Sequence, residues 1–139
     1  MVTKNDFMRI METQTEIALA TSVENKPNVR IVNFYFDNVT TTLFFTTFGD
    51  NEKIKEFEKN PKVAFTTIPH SGNEHVKAKG CIKKSNLTIF DLAQQFIHKI
   101  PDYKDTIDQA GQHLVLFEIK FDKAIVTLDF ENIEIIHLT

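Results

Sequence analysis

The stretch NVRIVNFYFDNVTTTLFFTTFGDNEKIKEFEKNPKV, residues 28–63, decides how the rest of the chain is read. It opens on a run through Phe36 that Asp37-Asn38 punctuates, followed by a second run from Thr42 to Thr47. Both are rich in β-branched and aromatic residues and bounded by turn formers, which predicts two strands. Asp50 or Asn51 then caps a short helix through Lys59, with Ile54 and Phe57 facing inward, and Asn60-Pro61 ends it. The chain has two arginines, and Arg30 sits inside the first of these otherwise apolar strands. A guanidinium in an apolar wall is costly unless paired, so two readings are open. In one, the stem lies on apolar neighbours and the head reaches water at a rim. In the other, Arg30 faces an anion. The hydroxyls of Thr46 and Thr47 and the ammonium of Lys53, on the first helical turn, then complete a phosphate pocket. Asp50 and Glu52 place acids in that same turn.

Outward from this stretch, Glu16 to Val23 is β-like and Glu24-Asn25-Lys26-Pro27 supplies a turn, so the first three strands are expected to form an antiparallel meander. Before them, Phe7, Ile10 and Met11 mark a short amphipathic helix over Thr3–Thr13, with Thr3 or Asn5 as cap. After them, Val63–Ile68 and Glu74–Lys84 are strands, the second alternating Val76, Ala78, Gly80 and Ile82 with lysines. Gly80 in its middle points to a bulge or a close approach by another backbone or a ligand. A helical stripe runs from Ser85 through Ile97, Pro101-Asp102 breaks it, and a short helix reaches Ala110. His113–Phe121 and Ala124–Leu128 are further strands, and Ile133–Leu138 is a last strand or an extended tail. The expectation is a mainly β (α+β) single domain over residues 1–139: a six- to seven-stranded antiparallel split barrel with peripheral short helices. A doubly wound parallel sheet fits less well, because only turns separate the first three strands.

With 139 residues, 42% hydrophobic and 25% charged, the composition is that of an ordinary globular domain. A net charge of −3 argues against a broad nucleic-acid surface, and no apolar run approaches a membrane-spanning length. The amino terminus carries acids and no cleavable apolar core, and the single Cys81, read as a buried inert thiol, fits a reducing compartment. A cytoplasmic protein without nucleic-acid or membrane partners is expected. His70, His75, His98, His113 and His137 lack metal-site spacing, no Gly-x-Ser-x-Gly elbow or Gly-rich phosphate loop occurs, and no acid–base pair of carboxylates stands out. No catalytic side chain and no metal ligand is nominated.

Three segments, ALATSVENKPNVRIVNFYF, LFFTTFGDNEKIKEFEKNPKVAFT and HVKAKGCIKK, carry a resemblance that covers most of the chain. Their order and spacing resemble the pyridoxamine 5′-phosphate oxidase-like FMN-binding split-barrel family, including its small general-stress and nitroimidazole-resistance members. The strongest elements are Arg30-Ile31-Val32, then Thr47 with Lys53 six residues later, then Asn60-Pro61-x-Val63. The resemblance implies that Arg30 and Lys53 hold the FMN phosphate. The backbone of Arg30, Ile31, Val32 and Asn33 would run along the flavin ring, and Thr46 and Thr47 would line the ribityl chain and phosphate. His75 stands where relatives often have a glutamine, Glu52 where they often have a base, and Asn51 where a serine is usual. FAD, a deazaflavin or haem are the alternative cofactors, the last with His75, His113 or His137 as axial ligand. The family also implies a homodimer with flavin at the subunit interface. The expected activity is electron or hydride transfer from a reduced nicotinamide to a small acceptor, not oxidation of vitamin B6. The alternative is a non-catalytic flavin- or haem-binding stress or sensor protein on the same barrel.

Overall fold

A computed structural model of the protein describes residues 1–49 and 52–139, without the side chain of Lys53. The elements run α1 (Lys4–Thr13), β1 (Glu16–Val23), β2 (Lys26–Asn33), β3 (Tyr35–Asp37), β4 (Thr42–Phe48), α2 (Glu52–Lys59), β5 (Lys62–Thr67) and β6 (His75–Lys84). They continue through α3 (Ala93–Lys99), α4 (Tyr103–Ala110), β7 (Leu114–Lys120), β8 (Lys123–Thr127) and β9 (Ile133–His137). The mainly β class with small helices is as expected. The expected cap at Asp50 or Asn51 lies outside the described residues.

All pairings are antiparallel, in one sheet ordered β2-β1-β5-β6-β7-β4-β3, with β8 branching from β6 and carrying β9. The hairpin between β1 and β2 turns on Glu24 and Asn25, both left-handed at φ 51° and 66°, which suits the twist of the flanking strands. The run expected as a single strand from Asn28 to Phe36 is divided at Phe34, whose ring is fully buried and whose amide donates to the Thr15 carbonyl at 3.0 Å. Arg30, Val32, Phe34 and Phe36 keep one inward phase, but the partner changes: β2 pairs with β1, and β3 with β4. The expected meander is therefore replaced by a split barrel, whose two ladder ends are consecutive in the chain. Among the described residues nine strands result rather than six or seven, since Phe34 divides one run and the carboxy-terminal run is fully paired.

The interior is filled from alternate positions of the strands, including Ile17, Leu19, Phe45, Phe65, Val76, Ile119 and Val126. Ten of the thirteen phenylalanines are buried. Helix α1 is fixed by a capping box between Thr3 and Asp6 and inserts Phe7, 5.4 Å from Phe36 in edge-to-face contact. Helix α2 seats Phe57 against Phe117 at 5.1 Å. A second cluster, Phe44 and Leu116 with Phe96, Tyr103 and Ile107, packs α3 and α4 on the other face of β4 and β7. The helix expected from Ser85 begins only at Ala93. The Ser85 and Asp91 side chains accept the amides of Leu87 and Thr88, and these local bonds compete with helix formation. Leu87 and Phe90 are exposed. Cys81 is exposed rather than buried, because it shares the outer face of β6 with Lys79.

Gly80 is required by a backbone approach: a Cβ there would meet the Lys120 carbonyl oxygen, which no rotamer change relieves. Gly80→Ala is expected to destabilise the fold by about 1–3 kcal/mol, measured as a lower urea midpoint at unchanged slope.

Lys99 joins three elements at the Phe34 bend. Its Nζ donates to the Met11 carbonyl near the end of α1 at 3.0 Å and stands 3.4 Å from the centre of the Phe34 ring. Burial pulls its pKa from 10.5 down to about 7, against a smaller upward pull from Glu12. The folded protein thus releases this proton at lower pH than the unfolded chain, so the buried ammonium weakens folding below about pH 7. The penalty fades as pH rises toward 10.5. Thermal unfolding across that window should show wild type gaining on Lys99→Met as pH rises; a constant gap would refute the assignment.

Candidate functional site

Arg30 lies opposite Leu19 in the β1–β2 ladder and points inward toward α2. Its side chain is only 7% exposed, which excludes the rim reading. Nη2 donates to Glu56 Oε1 at 3.1 Å and Oε2 at 3.4 Å, and to Thr21 Oγ1 at 3.1 Å. The guanidinium carbon stands 5.6 Å from the centre of the Phe57 ring. Nη1 is buried with no hydrogen-bond partner among the described residues. Glu56, 22% exposed, also accepts from Thr21 Oγ1 at 3.1 Å and Asn28 Nδ2 at 3.2 Å. The anion that Arg30 faces is thus a carboxylate of its own chain.

Lys53 lies three residues before Glu56 on α2, so the helix facing Arg30 is the one that carries it; its ammonium lies outside the described residues. Val32 shares the inward face of β2, whereas Ile31, 61% exposed, and Asn33 face outward. Thr47 is buried on the interior face of β4. Thr46 points the other way, and its hydroxyl is hydrogen-bonded to the Tyr103 hydroxyl of α4. Within one chain the two threonines therefore serve different faces. His75 does not join the group. It begins β6, three strands across the ladder from β2 and three residues before Ala78, the β6 residue in the row that runs from Arg30 through Leu19 and Phe65. Its Nδ1 donates to the Asn73 carbonyl at 2.8 Å, which leaves Nε2 as the unprotonated nitrogen of the neutral ring.

Sequence reasoning missed Thr21, Asn28, Glu56 and Phe57 as members of this cluster. The available signal was an acid one helical turn after Lys53, beside the inward Phe57, on the helix facing an arginine that needed a counter-charge. Two further features bear on ligands. First, β2 is the end strand of the ladder, so half of its backbone N–H and C=O groups have no strand partner. Second, Val29 and Ile31 are 65% and 61% exposed and adjoin Ala18, Ala20 and Ala64 on the same outer face. Among the described residues, no helix is long and apolar enough to cross a membrane.

The class that these observations define is an antiparallel split barrel with a buried arginine between its end strand and a following helix. Residues 10–133 match the family model described as pyridoxamine 5′-phosphate oxidase-like, and the chain belongs to that family. General stress protein 26 from Bacillus anthracis superimposes with a TM-score of 0.74 at 17% identity, over 96% of this chain and 97% of that one. A FAD-binding protein from Mesorhizobium loti gives 0.66 at 16%, over 88% and 90%. HutZ, the haem storage protein of Vibrio cholerae, gives 0.66 at 14%, over 88% and 92%. These structures share the fold. No curated protein matches the chain by sequence.

The ion pair has a testable energetic signature. Arg30→Met should destabilise the protein by about 1–3 kcal/mol, below the fully buried range because Glu56 is partly solvated. Adding Glu56→Gln should recover part of that loss. Strictly additive urea unfolding energies would deny the coupling.

Proposed function

We propose that this chain binds FMN as a homodimeric, flavin-dependent oxidoreductase-like protein. The observation that carries the reading is the buried Arg30 Nη1, without a described partner, beside the end strand β2 and the helix bearing Lys53. A guanidinium with an unused donor in a dry setting fits a phosphate oxygen. Arg30 would hold the phosphate and Lys53 would add a point charge, with Thr47 alongside. The free backbone edge at Arg30, Ile31, Val32 and Asn33 would meet the rim of a flat ring with N–H and C=O groups. Thr46 reaches such a ligand only by leaving Tyr103. When bound, the flavin supplies electron or hydride transfer between a reduced nicotinamide and a small acceptor. The protein's part is to bind, orient and exclude water.

A second copy of the chain is proposed to cover the outer patch of Val29, Ile31, Ala18, Ala20 and Ala64 and to enclose the ring. Exposed apolar residues grouped in this way favour burial. His75, remote from Arg30 within one chain, would reach flavin only across that interface.

A haem-binding reading rests on a different observation. The Asn73 carbonyl fixes the His75 tautomer and leaves Nε2 unprotonated, as in histidines that ligate a metal.

Titration with FMN separates the readings. Flavin binding should quench flavin fluorescence and give a visible flavin band reduced by NADH or NADPH. Arg30→Ala and Lys53→Ala should each weaken FMN by about 1–3 kcal/mol and riboflavin much less. Sedimentation should show a dimer that Ile31→Asp dissociates. A colourless protein that forms a Soret band with haem, lost in His75→Ala, would replace the flavin reading with the second.

A further inference from the structure

We propose that Glu56 is a resident counter-ion that occupies the phosphate-binding donors until a phosphorylated ligand displaces it, and that it sets how strongly the site prefers phosphorylated over unphosphorylated flavin. The inference rests on the flavin reading above and names a specificity determinant of that same site.

The Glu56 carboxylate is held by three donors from two strands: Arg30 Nη2 and Asn28 Nδ2 on β2, and Thr21 Oγ1 on β1. A guanidinium, an amide and a hydroxyl are the groups that grip a phosphate, and here they converge on an oxyanion that α2 delivers. The carboxylate oxygens thus mark where an incoming phosphate's oxygens would sit. Phosphate and carboxylate do not share these donors without repulsion, because like charges a few ångströms apart interact strongly where water is scarce. A phosphate at Arg30 therefore requires the Glu56 side chain to swing toward solvent, which its partial exposure permits. The same pair explains how a buried guanidinium persists before any ligand arrives: Glu56 supplies the charge that a dry Arg30 needs. Each role opposes the other. The residue that keeps the ligand-free cluster intact reduces the gain from binding a dianion, and a flavin without phosphate escapes that competition.

Fluorescence titration of wild type and Glu56→Gln with FMN and with riboflavin tests this. Glutamine keeps an acceptor for Arg30 and Thr21 but removes the charge. FMN affinity should rise about tenfold or more, with riboflavin affinity changed less than about twofold. Unchanged or weaker FMN binding by the variant would overturn the proposal. Should the variant fold poorly, the wild type decides: FMN preferred over riboflavin by less than about a hundredfold supports the competition, and a larger preference overturns it. If neither flavin binds either protein, the flavin reading fails. Inorganic phosphate then tests Glu56 alone, supporting displacement if it raises the melting temperature of the variant more than that of wild type. An equal rise, or none in either, overturns it.

Discussion

Phe34 imposes the constraint on which the remaining architecture depends. A strand that begins beside β1 must end beside β4, and these lie at opposite ends of the ladder. The change of partner is possible because one residue leaves the hydrogen-bonded pattern. Its ring is fully buried, its amide donates to Thr15, and the Lys99 amine lies over its face. Everything that defines the candidate site hangs from this bend. Arg30 and Val32 precede it on a strand with an open edge, while Tyr35 and Phe36 follow it into the two apolar clusters. The carboxy-terminal turn of α1 and the end of α3 are fastened to the same point through Lys99.

Around Arg30 the protein solves a second problem, that of keeping a cation out of water. Aromatic contact with Phe57 and hydrogen bonds from Nη2 to Glu56 and Thr21 replace part of its hydration, while Nη1 has no partner among the described residues. The solution also ties helix to sheet, since Glu56 is the point where α2 meets both β1 and β2. Stability of that corner and readiness to accept an anion are thus set by the same few atoms.

Much of this was legible in the residues. Alternation in Glu74–Lys84, turn chemistry after Val23 and the Thr3 cap located their elements closely, because each signal is local. The split at Phe34 was not legible, since Arg30, Val32, Phe34 and Phe36 keep an unbroken period of two and only the partner strand changes. The stripe from Leu87 to Ile97 suggested helix throughout, yet the local bonds of Ser85 and Asp91 delayed it by about two turns. At the site, the sequence left Arg30 open between water at a rim and an anion inside. It did not show that Glu56 supplies that anion, because that depends on which face of α2 the completed barrel receives. Cys81 was misread for a simpler reason: its phase in β6 places it with the lysines.

The ladder order also bears on how the chain is made. Strand β4 pairs with β3 on one side and β7 on the other, and Lys120 of β7 lies 78 residues downstream of Thr42, to which it hydrogen-bonds. The Phe44–Phe45 strand therefore leaves the ribosome long before its second neighbour exists. Until β7 arrives, one flank of an aromatic-rich strand stays unzipped, and closure of the interior waits on nearly the whole polypeptide. Such non-local assembly is slow compared with helical folding and leaves a sticky intermediate during synthesis.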